Sequence, residues 1–397
     1  MKDNYYFDNA ATTWPKPEPV YQFMDSFFRS HGVNPGRSGH TLAVEAEQMI
    51  FETRRLLASF FNFQGDPNRV VFTQNATDSL NMALQGLLQD GDHVISSRLE
   101  HNAVLRTCNH LQRDRGVSVS LMEPDDNGYI SLESIEAAIN DKTRAIVINH
   151  ASNVTGAVQD IKAIAALAKA RQIKFIVDSA QTAGVVPVDM TCGIDVLTFT
   201  GHKGLFGPMG IGGMIVDESA ELTPIRFGGT GVDSASPFQP DEYPHRLEAG
   251  TVSIPGIAGL NAAQKWFATL ESDAGTDHWT ACQRAIKAIH ATEMEHSERI
   301  WQKLQSIDSV TTLGNLADGP HVATLSFTSD RFSAQQLAEM MDADYHICVR
   351  AGLHCAPEAH RAYATEADGG AVRLSPGYFT EKEDVDQLLT AIEELCS

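Results

Sequence analysis

The sequence predicts an α/β protein, a mainly parallel sheet with helices on both faces, followed by a smaller α+β region. Two observations carry this. Through the middle of the chain, short β-branched apolar runs alternate with longer amphipathic stretches, and such alternation builds a parallel sheet covered by helices. Past residue 260 the texture changes to long helical patterns with a few apolar strand segments.

Taken in order, strands are expected at residues 69–73, 93–97, 145–149, 174–177, 196–200 and 212–216. Each is short and apolar, as strands buried on both faces are. Met49, Ile50, Thr53, Leu56, Leu57 and Phe60 share one helical face, and Ile161, Ile164, Ala165 and Ala168 share another. Further helices are expected around Trp266, over 281–305 and over 381–395. The last opens with a capping box from Thr380 to Glu383 and buries Val385, Leu388, Leu389 and Ile392. Residues 322–327 and 347–350 add strands. The expected division is a large domain over 15–260 and a small one over 261–397, with 1–14 packed on the small domain or at the site.

The 397 residues are 43% hydrophobic and 20% charged, which excludes a disordered or fibrous chain. Thirty basic against 51 acidic residues leave a formal net charge of −21. Such an excess repels phosphate backbones and anionic lipid, so neither nucleic acid nor a membrane is an expected partner. Residues 1–10 lack a signal-peptide pattern, and no run reaches the about 18 apolar residues of a membrane span. The cytoplasm is the expected compartment. Six cysteines without a C-x-x-C pair are too few for a disulfide scaffold and suit reducing conditions.

Ligands of open α/β sheets gather at the carboxyl ends of the strands. The strand beginning at Lys174 ends in Asp178, followed by Ser179, Ala180 and Gln181. The next runs into Gly201, His202, Lys203 and Gly204. Alone, such an aspartate is usually a helix cap and such a lysine a solvated charge. Together they suit pyridoxal 5'-phosphate, which needs a Schiff-base lysine and an acidic partner for its pyridinium nitrogen. Gly201 and Gly204 are expected to leave room for a flat ligand. Ala76 and Thr77, opening the helix after the first strand, are a candidate phosphate site, although taken alone that segment is better explained as a plain helix cap. No G-x-x-x-x-G-K-[ST] or G-x-G-x-x-G motif supports a nucleotide.

Six motifs then occur in a familiar order: Asp8-Asn-Ala-Ala-Thr-Thr13, Glu100-His101-Asn102, Ser152-Asn153-Val154-Thr155-Gly156, Asp178-Ser-Ala-Gln181, Gly201-His202-Lys203 and Arg350-Ala-Gly-Leu-His-Cys355-Ala-Pro357. With them the chain resembles the class V aminotransferase-type enzymes, and more narrowly the cysteine desulfurases and selenocysteine lyases of the SufS-like group, from Asp8 to Asp386. The resemblance implies the fold type I architecture with a seven-stranded large-domain sheet. It implies that Lys203 binds the cofactor and moves protons, Asp178 holds the ring nitrogen, Gln181 meets the phenolic oxygen and His101 stacks on the ring. Thr77, Ser179 and His202 would ligate the phosphate, and Thr251 would reach the partner subunit's phosphate, implying a homodimer. Asn153 and Arg373 would hold the substrate carboxylate, with Arg350 and His354 beside them.

Cys355 would be the nucleophile, taking sulfur from L-cysteine as a persulfide for an acceptor protein and leaving L-alanine. L-Selenocysteine is the alternative substrate. Attack needs a thiolate, and Arg350 and His354 are the cations expected to favour it. The chain departs from the SufS-like pattern in carrying Leu353 where a histidine is usual, and in an extra loop over 362–370. A zinc site among His346, Cys348, His354, Cys355 and His360 is the rival from another class. It would leave Lys203 and Asp178 unexplained. A non-catalytic scaffold would be expected to lack Lys203 or Cys355, and an aminotransferase would not need Cys355. Cys108, Cys192 and Cys282 are expected as small core residues.

Overall fold

The computed structural model describes residues 4–35, 39–273 and 275–397. The chain opens with β1 (Tyr5–Tyr6), α1 (Glu18–His31) and α2 (Thr41–Phe60). The alternating region follows: β2 (Val70–Thr73), α3 (Ala76–Leu87), β3 (His93–Ser97), α4 (Asn102–Arg115), β4 (Ser118–Met122), α5 (Leu132–Ala138), β5 (Thr143–Asn149), α6 (Ile161–Ala170), β6 (Lys174–Asp178), β7 (Val196–Thr200) and β8 (Gly212–Val216). The remainder comprises α7 (Ile254–Leu270), α8 (His278–Gln305), β9 (Val310–Leu313), β10 (Leu325–Ser329), α9 (Ala334–Tyr345), β11 (Ile347–Cys348), β12 (Arg350–Gly352), α10 (Pro357–Ala362), β13 (Ala371–Leu374) and α11 (Lys382–Cys396).

Seven strands form one sheet in the order β2-β8-β7-β6-β5-β3-β4. β8 runs antiparallel to β2 and β7, and every other pairing is parallel. β2, β3, β7 and β8 are wholly buried, and β2, β7 and β8 accordingly read as largely apolar runs, whereas β3 also buries His93, Ser96 and Ser97. One face packs on Leu57 of α2, Ile164 of α6, Ile257 of α7 and Ile286 of α8. The other packs on Leu80 and Leu84 of α3 and Val104 and Leu111 of α4. A second sheet, β12-β13-β10-β9, is antiparallel. Its core joins Phe7, Phe327, Leu337, Val372, Leu388 and Ile392. β1 pairs with β11, tying the amino-terminal segment to this half.

Three expectations shift. The final helix is capped one residue later than expected. Thr380 Oγ1 already accepts the Gly377 amide at 2.9 Å, so Glu381 and Asp384 form the capping box, with the Glu381 amide donating to Asp384 Oδ2 at 3.0 Å. The expected strand over 347–350 is two strands in different sheets, β11 on β1 and β12 on β13. The segment expected from 322 becomes β10, starting at Leu325. The helix α1, in which only Val20 is buried, and the edge strand β4, whose residues are exposed or half-buried, were not expected from the sequence. Residues 260 and 261 both lie inside α7, which packs on α1 and α2. Among the described residues no helix is long and apolar enough to cross a membrane.

Candidate active site

The carboxyl ends of β3, β5, β6 and β7 open on a cleft of about 290 Å³, closed on the far side by residues 350–355 and Arg373. Twelve of the fourteen residues singled out in sequence line it: Ala76, Thr77, His101, Asn153, Asp178, Gln181, His202, Lys203, Arg350, His354, Cys355 and Arg373. Ser179 does not. It is wholly buried and its hydroxyl donates to the Thr198 carbonyl at 2.7 Å. Thr251 lies in an adjoining cleft that shares Asn75 with the first.

Asp178 ends β6 with one oxygen accepting the Ala180 amide at 2.9 Å. Burial raises its pKa, opposed by that bond and by the charge of Lys203. Burial pulls the Lys203 amine down to about 8, with Arg373 adding to the shift and Asp178 opposing it. Such an amine is neutral often enough near neutral pH to act as a nucleophile or base. The glycines beside Lys203 do not make room for a ligand, contrary to expectation. A Cβ on Gly201 would stand 2.9 Å from the Ile211 carbonyl oxygen, and one on Gly204 2.5 Å from that of Ala183. They let the lysine turn pack on its own neighbours.

At the other end of the cleft Asn75 caps α3, its side chain accepting the Asp78 amide at 3.0 Å. The first-turn amides of Ala76 and Thr77 have no partner within the helix and suit an anion. His202 Nδ1 and Thr200 Oγ1 are buried without a hydrogen-bond partner among the described residues. His101 caps α4, its Nδ1 accepting the Ala103 amide at 3.0 Å. That bond places the proton of the neutral ring on Nε2. Burial, then Lys203, pulls the His101 pKa to about 4. Gln181 Nε2 donates to the Ala10 carbonyl at 3.2 Å.

The opposite wall is built differently. Arg373 is 2% exposed, donates to Asp8 Oδ1 at 2.9 Å and to the Asn153 carbonyl at 3.1 Å, and leaves Nε buried and unpartnered among the described residues. Asp8 was legible in sequence only as part of a motif, and its pairing with a residue 365 positions away carried no local signal. Asn153 Nδ2 donates to the His354 carbonyl at 2.6 Å, and its Oδ1 is likewise unpartnered. Of the six free thiols, Cys355 is the exposed one. Cys192, expected in the core, is half-buried and lines a separate surface cleft.

His354 Nε2 lies 3.4 Å from the Arg350 carbonyl and its Nδ1 lies 3.2 Å from His360 Nε2. His360 Nδ1 in turn lies 2.8 Å from the Thr365 hydroxyl. A carbonyl can only accept, so His354 Nε2 donates, His354 Nδ1 accepts from His360, and His360 Nδ1 accepts from Thr365. Burial, then Arg373, pulls the His354 pKa to about 2. The ring is neutral with both nitrogens occupied, so His354 is not the cation beside Cys355 that the sequence led us to expect. Nor do the two histidines present themselves to zinc. Among the described residues no three His, Cys, Asp or Glu side chains are placed to hold a metal.

The donor set fits pyridoxal phosphate. A buried carboxylate wants a cationic N–H, a buried His202 nitrogen and a free helix start want an anion, and a depressed amine stands between them. The aminotransferase class-V family model matches residues 5–388. A probable cysteine desulfurase of Methanothermobacter thermautotrophicus is 32% identical, over 100% of this chain and 95% of that protein. The cysteine desulfurase IscS of Photorhabdus laumondii is 30% identical, over 99% and 93%. Among solved structures, the cysteine desulfurase of Thermococcus onnurineus NA1 superposes with a TM-score of 0.88 at 29% identity, over 99% of this chain and 94% of that one. The cysteine desulfurase CsdA of Escherichia coli does so at 0.85 and 26%, over 99% and 94%. Members of this family depend on pyridoxal phosphate. A match from Tyr5 to Leu388, on a fold that brings Lys203, Asp178 and Cys355 to one cleft, means that the chain belongs to the aminotransferase class-V family.

Proposed function

We propose that this protein is a pyridoxal-phosphate-dependent cysteine desulfurase, which moves the sulfur of L-cysteine onto Cys355 and releases L-alanine. The observation that carries the reading is the meeting of Lys203, Asp178 and an exposed cysteine in one cleft. Asp178 would hold the ring nitrogen, the Ala76 and Thr77 amides with His202 would hold the phosphate, Gln181 would hold the phenolic oxygen, and His101 would lie against the ring. When bound, the cofactor supplies an electron sink for charge developing on the substrate carbons.

The chain's own residues do the rest. Arg373 Nε, a donor left unpaired inside the chain, and the second hydrogen of Asn153 Nδ2 orient the substrate carboxylate. Lys203 Nζ takes the proton from the substrate's α-carbon and returns protons to the product. Cys355 Sγ attacks the substrate sulfur as a thiolate. A sulfur–sulfur bond forms, the carbon–sulfur bond breaks, and its electron pair stays on the carbon, which is then protonated to alanine. The persulfide left on Cys355 is passed to an acceptor protein. L-Selenocysteine presents the same groups to the same residues and is a second substrate of the proposal.

The reading includes a homodimer. Thr251 stands outside its own cleft, and Tyr21, Phe28, Leu42, Val44 and Phe51 leave α1 and α2 with exposed apolar side chains that suit a subunit contact. It includes a reducing, cytoplasmic setting, because all six thiols are free. It also includes a large and a small domain, with the boundary moved from residue 260 to the end of α7, because a boundary should not cut a packed helix. The test is alanine release. Wild-type protein loaded with cofactor should form alanine from L-cysteine, and Cys355→Ser should lose at least about a hundredfold in rate. A full rate in the variant would remove Cys355 as the nucleophile.

A further inference from the structure

The turn that carries Cys355 is in a conformation its sequence does not favour. His354 and Cys355 are consecutive non-glycine residues at φ 49° and 57°, a left-handed pairing that persists only where the surroundings impose it. Two bonds from the large sheet side hold it: the Asn102 amide donates to the Cys355 carbonyl at 2.7 Å, and Asn153 Nδ2 donates to the His354 carbonyl at 2.6 Å. The third restraint comes from behind, through the ring-to-ring chain from Thr365 to His360 to His354 and on to the Arg350 carbonyl.

The loop that supplies Thr365 is itself fixed. The Thr365 amide donates to the His360 carbonyl at 2.8 Å, and the Gly370 amide to the Thr365 carbonyl at 2.9 Å. Gly370, at φ 97°, lies against the Cys355 turn, where an added Cβ would stand 2.1 Å from the Gly352 carbonyl oxygen. The loop over 362–370 is therefore wedged against strand β12 at one end and bonded into the buried histidine pair at the other. A surface loop with no bearing on the nucleophile would have no need of a directional chain of three side chains, two of them buried.

We propose that Thr365 and His360 are positioning residues for Cys355, and that the 362–370 loop acts as a brace fixing the direction of its thiol. Neither residue touches substrate. They act through His354, whose ring is locked by them and whose backbone sets the left-handed step into Cys355. The proposal deepens the desulfurase reading and rests on it for its catalytic consequence, while the structural claim is separately measurable.

Thr365→Val keeps the side-chain shape and removes the hydroxyl, Thr365→Ala removes it a second way, and Thr365→Ser restores it. In cofactor-loaded protein, loss of the hydroxyl should speed amide hydrogen exchange at Asn102 and Ala356 by at least about fivefold. It should also change the iodoacetamide reaction rate of Cys355, read by peptide mass. The kcat for alanine formation should fall about tenfold with the KM for L-cysteine within about twofold, since small misplacements of a reacting atom cost rate rather than binding. The serine variant should return all three to wild type. Wild-type exchange and wild-type kcat in either folded variant would overturn the proposal. If the wild type forms no alanine from L-cysteine, the functional reading fails. The exchange and alkylation results would still decide whether the brace exists.

Discussion

The two walls of the cleft are built on different principles. The cofactor wall is made of regular structure: Asp178 ends a strand, Ala76 and Thr77 begin a helix, His101 caps another, and Lys203 follows β7 directly. Its polar atoms are left partly unpaired, as a binding surface requires. The nucleophile wall has little regular structure around its key residue. Cys355 sits on a positive-φ turn held by a backbone bond from Asn102 and by side-chain bonds from Asn153 and the 360–365 segment. Sheets supply fixed positions at no further cost, whereas a turn in a disfavoured conformation must be held by specific partners. The first wall should tolerate changes around its residues and fail when they are removed. The second should respond to residues that never meet the substrate.

The sharpest break of the cofactor wall is Lys203→Ala. It should lower alanine formation by at least about a thousandfold and remove the borohydride-trapped cofactor label, while leaving the iodoacetamide reactivity of Cys355 in place. A label on another lysine would refute the assignment of that wall.

A smaller effect probes the opposite wall through pH. His354 and His360 have folded pKa values of about 2 and about 4 against an ordinary 6.5, each lowered chiefly by burial. The unfolded chain therefore binds protons below about 6.5 that the folded chain refuses. Their contribution to stability is present above that pH and is lost as pH falls toward the folded values. Between pH 7 and 5 each should cost roughly 1–2 kcal/mol, measurable as a drop in the urea midpoint that His360→Gln makes shallower. Glu100, behind the cofactor wall, runs the other way. Burial pushes it up to about 8, so its contribution falls as pH rises from about 4.5 through that value. An acid loss unchanged in the His360 variant would mean that the histidine pair does not stay neutral in the folded protein.

The same contrast explains what was legible. The strands of the large sheet and the residues at their ends could be read because strands buried on both faces are short and largely apolar and the sheet brings their ends together. β4 escaped because it is a half-exposed edge strand, and the Thr380 cap was misplaced because a turn bond to Gly377 had already taken its hydroxyl. On the nucleophile wall, Cys355 and Arg373 could be named from motifs, but Asp8, His360 and Thr365 could not be given roles. Those roles come from contacts across 365 positions or from a turn whose sign of φ no local pattern announces. His354 shows the limit in one residue: adjacency to the thiol suggested a cation, and its buried partners make it neutral.

The central claim is that both walls serve one reaction, with Cys355 as the atom that receives sulfur. A single turnover of cofactor-loaded protein with L-cysteine, followed by peptide mass analysis without reductant, tests it directly. The account predicts one equivalent of alanine and the mass of one added sulfur atom on the peptide that contains Cys355. Alanine without that sulfur, or the sulfur on Cys192 or Cys348, would contradict it.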